Sequence, residues 1–470
     1  MNNAQNLNAQ HFDLVIIGTG SGNSIPSPEF DDKSIAIIEK GTFGGTCLNV
    51  GCIPTKMYVY SADTALSARE GEKLGVHAHV DSIDWDTIVE RVFAKRVDPI
   101  AQGGEAYRRG EETPNITVFD QHARFIGPKT LQCGEDVITG DQIVLAAGAR
   151  PNVPAVFADS DVKIYTNEDI MRMPKQPESL IVVGGGFIAM EFAHVFDGLG
   201  TKVTVVNRSE TLLRFLDEDL SSRFNEIARQ RYEVRIGGVK KVERRTAEAT
   251  DAAQAGVRLT LDDDSVVEAD AILVATGRIP NGDLMNLEAS GIEMHEDGRV
   301  KVDEFGRTTC EGVWALGDVS SPYMLKHVAN AEQRAVAHNL LHPENLQPMP
   351  HEHVPSAIFT HPQIATVGLT EAQAREQGYD ITVKVQNFGD VAYGWAMEDT
   401  TGICKLVADR ATGKLLGAHL MGPQSSTLIQ QLITAMAYDL DMRTFARTQY
   451  WIHPALPEVV ENAVLGLDWQ

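Results

Sequence analysis

Residues 14–22 read LVIIGTGSG, an apolar run that leads directly into a glycine-rich turn. Four consecutive apolar residues predict a strand buried on both faces, as in a parallel sheet covered by helices. A second apolar run, residues 35–38, ends at Glu39, which lies 21 residues after Gly18. This spacing indicates a dinucleotide-binding unit, in which Gly18 and Gly20 approach a diphosphate and the carboxylate binds a ribose hydroxyl. A plain turn without a ligand is the alternative, and the flanking strands disfavour it.

The first glycine motif departs from the usual pattern at its third position, where Asn23 replaces a glycine. Pro26 and Pro28 follow shortly afterwards. Proline in a helix interior removes a hydrogen bond and clashes with the preceding turn. We therefore expect the helix after this loop to be short or irregular.

The same pattern recurs later in the chain, where residues 180–186 read LIVVGGG and an alanine-rich amphipathic helix and a strand follow. The candidate ligand-binding glycines of this second motif are Gly184 and Gly186. Two units of alternating strands and helices predict an α/β fold with two nucleotide-binding domains, each built on a doubly wound parallel sheet.

The second motif differs from the first at the ribose position, where Asn207 stands in place of an acid. Arg208 and Arg214 follow it. Without a carboxylate there is no repulsion against a 2′-phosphate, and two guanidinium groups can bind it through charge-assisted hydrogen bonds. This favours NADPH over NADH, with two solvated surface arginines as the alternative.

Two glycine turns mark the points where the chain is expected to pass between domains. Residues 147–151 and 276–280 each follow a strand and end in proline. From about His353 the nucleotide-binding pattern stops, and alternating strands precede a helix from Leu428 to Tyr438. The predicted division is a discontinuous first nucleotide-binding domain, a second one, and a C-terminal α+β domain, with these boundaries: 1–150 and 278–350; 151–277; and 351–470.

The composition indicates an ordinary globular protein with a strongly acidic surface. The formal net charge of −24 opposes binding to nucleic acids and anionic membranes. No apolar run approaches the ~18 residues of a membrane helix. Residues 1–10 lack the basic start and apolar core of a signal peptide, so we expect a frayed tail on a cytoplasmic protein. The five cysteines are too few and scattered for a secreted disulfide framework.

Cys47 and Cys52 are close in sequence, in a segment that reads GGTCLNVGCIPTK over residues 44–56. Along a regular helix their Cα atoms would be ~8.7 Å apart, which exceeds the roughly 7 Å that a disulfide tolerates. A bridge therefore needs a distorted turn, which Asn49 and Gly51 permit. A strained, accessible bridge is a redox-active one. Zinc is the competing interpretation, but no second cysteine or histidine pair lies nearby, and we predict no metal site.

The segment at residues 44–56 resembles the redox segment of the class I pyridine nucleotide–disulfide oxidoreductases, the family of glutathione reductase and dihydrolipoamide dehydrogenase. The resemblance runs through nearly the whole chain and includes VATGR at 274–278, GVWALGD at 312–318 and HPALPE at 453–458. It implies an FAD-binding and an NADPH-binding Rossmann-like domain, followed by a C-terminal dimerisation domain.

The resemblance implies roles for residues at the two cofactors. Lys56 would lie beside the flavin N5, paired with Glu191, where a cation stabilises negative charge on the reduced ring. Phe187 would cover the nicotinamide pocket, although core packing is the alternative for this side chain. The residues implied to bind FAD or NADPH are Gly18, Gly20, Glu39, Thr46, Asp318, Gly184, Gly186, Phe187, Glu191, Arg208, Arg214 and Gly277.

The family also implies the catalytic residues. Cys52 would receive electrons from the flavin, and Cys47 would attack the substrate disulfide. His453 would act as acid and base, oriented by Glu458. Histidine suits this task near neutral pH, and Pro454 directly after it favours a loop from which the ring projects. The family places this histidine in the site of the partner subunit, which implies a homodimer with shared active sites.

Within the family, residues 18–25 and 450–458 resemble the mycothione reductases more than other subgroups. The substrate of that subgroup is a nearly uncharged low-molecular-weight disulfide. The helix after the cysteine pair reads MYVYSAD over residues 57–63, a stretch with two tyrosines, a methionine and no basic residue. We expect these side chains to suit an uncharged ligand better than an anionic one.

Alternatives within and outside the family stay open. The absence of cysteines after Cys404 disfavours high-molecular-weight thioredoxin reductase and mercuric reductase. Within the class, the chain could reduce another disulfide, as dihydrolipoamide dehydrogenase or glutathione reductase types do. Outside it, the chain could be an NADPH:quinone flavoprotein oxidoreductase or a binding module with a dormant cysteine pair.

Overall fold

The computed structural model describes residues 9–246 and 255–470 of the chain. The chain forms two compact units. The first unit consists of the described residues up to Thr55 together with Thr87–Asn152 and Gly277–His351. The second consists of Lys56–Asp86, Val153–Thr276 and Glu352–Gln470. No helix in the described parts of the chain is long and apolar enough to cross a membrane.

The described residues contain both β-strands and α-helices. In chain order the strands are β1 (Gln10–Ile17), β2 (Ile35–Ile38), β3 (Ile116–Phe119), β4 (Ala123–Gly127), β5 (Thr130–Cys133), β6 (Asp136–Leu145), β7 (Ala149–Pro151), β8 (Ser179–Val183), β9 (Lys202–Asn207), β10 (Glu233–Ile236), β11 (Val239–Arg244), β12 (Val257–Leu261), β13 (Val266–Ala269), β14 (Ala271–Val274), β15 (Arg278–Pro280), β16 (Val313–Ala315), β17 (Pro355–Ile358), β18 (Ile364–Gly368), β19 (Ile381–Asn387), β20 (Ile403–Asp409) and β21 (Leu415–Met421). The α-helices are α1 (Gly45–Asn49), α2 (Cys52–Glu70), α3 (Trp85–Val92), α4 (Asp98–Arg109), α5 (Ala155–Ala158), α6 (Phe187–Gly198), α7 (Glu218–Arg231), α8 (Lys326–Leu341), α9 (Glu371–Glu376), α10 (Ala392–Ala396), α11 (Ser425–Leu428), α12 (Gln430–Ala437), α13 (Met442–Phe445) and α14 (Pro457–Leu465).

The first unit is built on a seven-stranded sheet of order β3-β2-β1-β6-β5-β4, with β16 also paired to β6. Its central strands run parallel, with Leu14 opposite Ile35 and Val15 opposite Ile143. Both faces of the apolar part of β1 are buried, which confirms the predicted parallel sheet. The strand begins at Gln10, so the prediction that this residue belongs to a frayed tail is wrong. Residues 1–8 of that tail lie outside the described residues.

The glycine loop of the first unit, residues 18–24, is not followed by an α-helix; in the described chain the next one is α1. Gly22–Ser24 and Pro28–Phe30 each form a single 3-10 turn instead. Pro28 is the first residue of its turn, a position where the missing N–H leaves no hydrogen bond unmade. The prediction of a short or irregular helix is confirmed.

The described residues of the second unit form three sheets. The parallel sheet β10-β9-β8-β14 carries the second glycine motif after β8, and the antiparallel sheet β11-β12-β13 follows it in the chain. The C-terminal part forms a five-stranded antiparallel sheet, β17-β18-β21-β20-β19. The second nucleotide-binding fold and the α+β region are therefore confirmed. The single helix predicted from Leu428 to Tyr438 is wrong in its bounds, because two short helices, α11 and α12, cover this stretch.

The two glycine turns predicted to connect domains pair with each other. β7 and β15 form an antiparallel ribbon in the first unit, with Pro151 opposite Arg278 and Ala149 opposite Pro280. The glycine and proline of each turn predict that turn from the sequence. The pairing of the two turns joins segments that are distant in sequence, so a local sequence pattern does not predict it.

The predicted domain boundaries lie within two residues of the positions where the chain passes between the compact units. One segment differs, since Lys56–Asp86 belongs to the second unit rather than to the first nucleotide-binding region. The hydroxyl of Tyr58 donates to the carbonyl of Met171, and the indole of Trp85 donates to that of Met173. These contacts explain the placement of the segment, while the division into three domains stays a prediction.

A buried ion cluster joins three elements of the second unit. The ammonium group of Lys405, in β20, is 3% exposed and lies 2.8 Å from Asp217, 2.5 Å from Asp219 and 2.8 Å from Glu371. Asp217 caps α7, and Glu371 is the first residue of α9. Burial opposes the charge of Lys405, but hydrogen bonds to the three carboxylates outweigh it and raise its pKa. The lysine therefore holds two helix N-termini to the C-terminal sheet.

We expect Lys405→Met to lower the free energy of unfolding by about 3 kcal/mol, because three clustered carboxylates would lose their buried cation. Denaturant unfolding of the purified protein at neutral pH measures this loss. Lys414→Met is the control, since Lys414 pairs with Asp439 at 2.6 Å on the surface and such pairs contribute less than about 1 kcal/mol. Equal losses in both variants would contradict the role given to the cluster.

Candidate active site

The backbone between Cys47 and Cys52 breaks out of the helix. α1 ends at Asn49, Val50 has φ −144° and ψ 18°, and α2 begins at Cys52. A Cβ at Gly51 would lie 2.9 Å from the carbonyl oxygen of Thr46, so this close approach requires glycine. The predicted distorted turn between the cysteines is therefore present. The sulfur atoms of Cys47 and Cys52 are not joined by a disulfide in this structure.

The surroundings of Cys47 favour its thiolate. A hydrogen bond from the Cys52 side chain lowers the pKa of Cys47 most, burial opposes it, and the charge of Lys326 lowers it further, to about 7. A thiol with this pKa is substantially ionised at neutral pH, and the thiolate is the nucleophilic form. By contrast, burial raises the pKa of Cys133 to about 11 and also raises that of Cys404. Cys47 thus differs chemically from these two lone cysteines.

Both glycine motifs have the backbone shape that a dinucleotide diphosphate requires. Gly18 has φ +103°, and a Cβ there would lie 2.3 Å from the carbonyl oxygen of Ala146. Gly184 repeats this geometry, because its φ is +129° and a Cβ there would lie 2.4 Å from the carbonyl oxygen of Ala275. Only glycine lets the loop pass so close to the end of the neighbouring strand. The residues present therefore fit one dinucleotide in each unit.

Glu39 is fixed in place at the edge of the first glycine loop. Its Oε2 accepts hydrogen bonds from the Thr19 N–H at 3.0 Å and the Thr19 hydroxyl at 2.7 Å. Its Oε1 accepts one from the Gly41 N–H at 2.9 Å. The Thr19 hydroxyl in turn accepts one from the Gly44 N–H, which ties the loop to the redox segment. A carboxylate oriented in this way can receive the hydroxyls of a ribose.

Three further predicted cofactor residues lie in the first unit. Asp318 lies in the 3-10 turn Gly317–Val319, where burial raises its pKa and the Arg278 guanidinium, 3.9 Å away, opposes that rise. Gly277 has φ +122° and precedes β15. Thr46 lies within α1, directly before Cys47. The positions are compatible with the predicted roles, which stay predictions.

Lys56 and Glu191 interact in the second unit around Phe359. The Phe359 N–H donates to Glu191 at 2.9 Å, and the Lys56 ammonium lies 3.9 Å from the centre of the Phe359 ring. Burial raises the pKa of Glu191 to about 7, although the Phe359 hydrogen bond and the charge of Lys56 oppose it. Burial also lowers the pKa of Lys56, against the charges of Asp63 and Glu191. The Glu191 carboxyl can therefore exchange a proton near neutral pH.

The second glycine motif leaves an aromatic ring and two cations exposed. Phe187 is the first residue of α6 and is 38% exposed, so it is not packed in the core of the second unit. Asn207 ends β9, and its side chain donates to the Ser209 carbonyl at 2.7 Å. Arg208 and Arg214 are exposed and have no hydrogen bond or ion pair with any residue in 9–246 or 255–470. Both guanidinium groups are thus available to a phosphate.

His453 and Glu458 form a hydrogen-bonded pair, in which His453 precedes α14 and Glu458 lies in its first turn. The His453 Nδ1 lies 2.7 Å from Glu458 Oε1, and the Ala455 N–H donates to the other carboxylate oxygen at 3.1 Å. Burial opposes ionisation of Glu458, but these hydrogen bonds outweigh it and lower its pKa. The His453 side chain is 70% exposed. The His453 ring is therefore oriented through Nδ1 and exposed, and its role as acid and base stays a prediction.

Of the side chains expected to suit an uncharged ligand, Tyr58 does not lie on the surface. Tyr58 is fully buried, whereas Tyr60 is 69% exposed and Met57 is half-buried. Residues two apart on a helix point about 200° apart, so one tyrosine faces the core when the other faces outwards. Phe359 and Lys326 are not predicted in the site by any local pattern, because both reach the site residues from distant segments.

The predicted site residues are divided between the two compact units. Cys47, Cys52 and the FAD-motif residues lie in the first unit, whereas Lys56 and His453 lie in the second. In the described residues, no group of three histidine, cysteine, aspartate or glutamate side chains is placed to hold a metal ion.

Comparison with known proteins identifies the family. Residues 12–335 match the model of the pyridine nucleotide-disulphide oxidoreductases, and residues 354–464 match the dimerisation domain of the same family. Mycothione reductase from Mycobacterium tuberculosis (strain CDC 1551 / Oshkosh) is 53% identical over 468 residues, which cover 97% of this chain and 99% of that protein. Glutathione reductase from Burkholderia cepacia is 32% identical over 451 residues, which cover 95% of this chain and 97% of that protein.

A solved structure gives the same result for the fold. The HOCl-induced flavoprotein disulfide reductase RclA from Escherichia coli has a TM-score of 0.84 and 27% identity, with coverage of 96% of this chain and 99% of that one. Two family models thus match most of the chain, and proteins of related activity match it almost from end to end. The family works with FAD and a nicotinamide cofactor. The chain is an enzyme of the pyridine nucleotide-disulphide oxidoreductase family.

Proposed function

We propose that this enzyme uses NADPH to reduce mycothione, the disulfide of mycothiol, through FAD and the Cys47–Cys52 pair. The observation that carries the choice of substrate is the 53% identity to a mycothione reductase over 97% of the chain. The choice of NADPH rests on Asn207 with the unpaired guanidinium groups of Arg208 and Arg214. A cytoplasmic location, where thiols are kept reduced, is part of the same proposal.

FAD bound at the first glycine motif would carry two electrons from the nicotinamide to the cysteine disulfide. In this proposal Glu39 and Asp318 would bind its hydroxyl groups, and Lys56 and Glu191 would provide a cation and an exchangeable proton for the reduced flavin. Phe187 covers the nicotinamide pocket in the second unit. The shifted pKa of Glu191, about 7, supports its part in proton exchange.

The cysteines then carry out thiol–disulfide exchange. The Cys47 thiolate attacks one sulfur of mycothione, so that a mixed disulfide forms and one mycothiol leaves as a thiolate. His453 gives this leaving thiolate a proton. Cys52 next attacks the Cys47 sulfur, which releases the second mycothiol and restores the Cys47–Cys52 disulfide. Two electrons have then passed from the dithiol to the substrate.

The enzyme is proposed to work as a homodimer, because residues 354–464 match a dimerisation domain. His453 would then serve the cysteine pair of the partner subunit. Its exposed ring and its hydrogen bond to Glu458 support this assignment, since a group that acts across an interface must project from its own subunit.

A substrate comparison tests the proposed function. NADPH oxidation by purified enzyme is measured with mycothione, oxidised glutathione, lipoamide and a quinone at matched concentrations. We expect a strong preference for mycothione. Turnover of glutathione or lipoamide instead would keep the cysteine mechanism and refute the substrate, and activity with the quinone alone would refute both.

The double variant Arg208→Ala, Arg214→Ala is expected to raise the KM for NADPH roughly 10- to 100-fold, because charge-assisted hydrogen bonds to the 2′-phosphate would be lost. The KM for NADH should change little, since NADH has no phosphate there. Arg235→Ala is the control, because Arg235 is already paired with Glu233 at 2.8 Å. An equal rise for both nucleotides would contradict the cofactor assignment.

A further inference from the structure

The glycine loop of the first unit lacks the usual source of positive charge for a diphosphate. In a complete dinucleotide motif, the N-terminus of the following helix provides N–H groups and a positive partial charge of about half an elementary charge. Here Gly22–Ser24 form only a three-residue 3-10 turn, and residues 25–27, which belong to no helix, lead to a second such turn at Pro28–Phe30. The formal net charge of the protein is −24, which makes this deficit more costly for an anion.

A lysine from a distant segment reaches this loop. Lys326 is the first residue of α8, and its ammonium group donates a hydrogen bond to the Ser21 hydroxyl at 2.8 Å. Ser21 is 7% exposed and donates in turn to Asn330, one turn further along α8, at 3.0 Å. The first turn of α8 therefore holds a cation against the middle of the glycine loop.

The charge of Lys326 is not neutralised by an ion pair. No carboxylate lies within 4.0 Å of its ammonium group in residues 9–246 and 255–470. The hydrogen bond to Ser21 uses one of the three donors of this group. The ammonium group of Lys326 contacts a buried serine and has two N–H donors left. It is therefore suited to bind a doubly negative ligand at the same loop.

The field of Lys326 extends to neighbouring groups of the first unit. Its charge contributes to lowering the pKa of Cys47 and opposes the rise in the pKa of Asp318. The charge of Lys326 acts on Cys47 because the redox segment passes close to the glycine loop. A Cβ at Gly45 of this segment would lie 2.6 Å from the Cα of Gly20 in the loop. The redox segment thus packs against the loop beside Ser21. Lys326 could therefore serve the diphosphate or the thiolate.

We infer that Lys326 binds the diphosphate of FAD and supplies the positive charge that the missing helix does not. The diphosphate is favoured over the thiolate because the direct contact of Lys326 is with the glycine loop, and because that loop has no helix N-terminus after it. A second contact of the loop supports this arrangement. Arg108 donates to the Asn23 side chain at 2.9 Å and to its carbonyl at 2.8 Å, which fixes the loop without a helix. The inference rests on the proposed use of FAD.

Binding of FAD, ADP and adenosine to the full-length chain freed of flavin tests the inference. For Lys326→Met we expect the affinity for FAD and ADP to fall roughly 10- to 100-fold, the range for a charged hydrogen bond. The affinity for adenosine should not change, since it has no diphosphate. Lys326→Arg should keep most of the ADP affinity. Lys301→Met is the matched control, because Lys301 pairs with Glu293 on the surface of the same unit.

The outcomes separate this inference from the proposed function. If the wild-type chain binds no FAD, the proposed function fails first. The inference is overturned if the wild-type chain binds FAD but the Lys326→Met variant keeps the wild-type affinity for ADP. It is also overturned if the variant loses affinity for ADP and for adenosine by the same factor. Unchanged ADP affinity with slower alkylation of Cys47 would assign the lysine to the thiolate instead. Lys326→Gln, which keeps a donor for Ser21 without the charge, gives the same comparison if the methionine variant does not fold.

Discussion

Cys52→Ser is expected to lower disulfide turnover by roughly 10³-fold or more, the range found on removing a catalytic nucleophile. Serine can still donate a hydrogen bond to Cys47, so the structure around that residue should persist. It cannot form a disulfide, however, and electrons from the flavin would have no acceptor. FAD should remain bound, because its proposed contacts lie at Gly18, Glu39 and Asp318.

Spectroscopy gives this prediction a readout besides turnover. Two-electron reduction of the wild-type enzyme should produce a charge-transfer absorbance, which requires a Cys52 thiolate beside oxidised flavin. The serine variant should lack this band and yet keep any quinone reduction, since a quinone can take electrons without the cysteines. Cys310→Ser is the control, because Cys310 is a lone, half-buried cysteine of the same unit. Disulfide turnover that survives in Cys52→Ser would refute the cysteine mechanism.

The parts of the fold that sequence predicts well are those encoded in contiguous residues. The apolar runs before Gly18 and Gly184 are buried strands of parallel sheets because their length and composition allow little else. The prolines after Asn23 exclude a regular helix, and the structure has only 3-10 turns there. The break between Cys47 and Cys52 likewise follows from local geometry.

The parts that sequence does not predict are contacts between distant segments. Nothing in the pattern around Lys326 indicates that its ammonium group reaches Ser21, because the contact exists only when α8 packs beside the glycine loop. The burial of Tyr58 against Met171 has the same origin. The strand start at Gln10 was missed because its polar end is held by pairing with β6 rather than by apolar burial.

His453→Gln is expected to lower the turnover of mycothione roughly 10²- to 10⁴-fold, the usual contribution of a general acid or base. Glutamine can accept a similar position in the loop but cannot give the leaving mycothiol a proton. Reduction by NADPH and the charge-transfer absorbance should stay intact, because these steps do not involve His453. His79→Gln is the control, since His79 is 84% exposed beside Asp81. Loss of the absorbance in His453→Gln would contradict the assigned step.

Mixed dimers of Cys47→Ser and His453→Gln subunits then decide which subunit the histidine serves. If His453 acts on the partner subunit, a mixed dimer contains one site with both Cys47 and His453 intact and one site with neither. Random mixing in equal amounts makes half of the dimers mixed, so roughly a quarter of the wild-type activity should return. If His453 acts within its own subunit, every site lacks one of the two residues and no activity returns. Unrecovered activity in dimers shown to have exchanged subunits would therefore refute the shared active site while leaving the chemistry of Cys47 and Cys52 untouched.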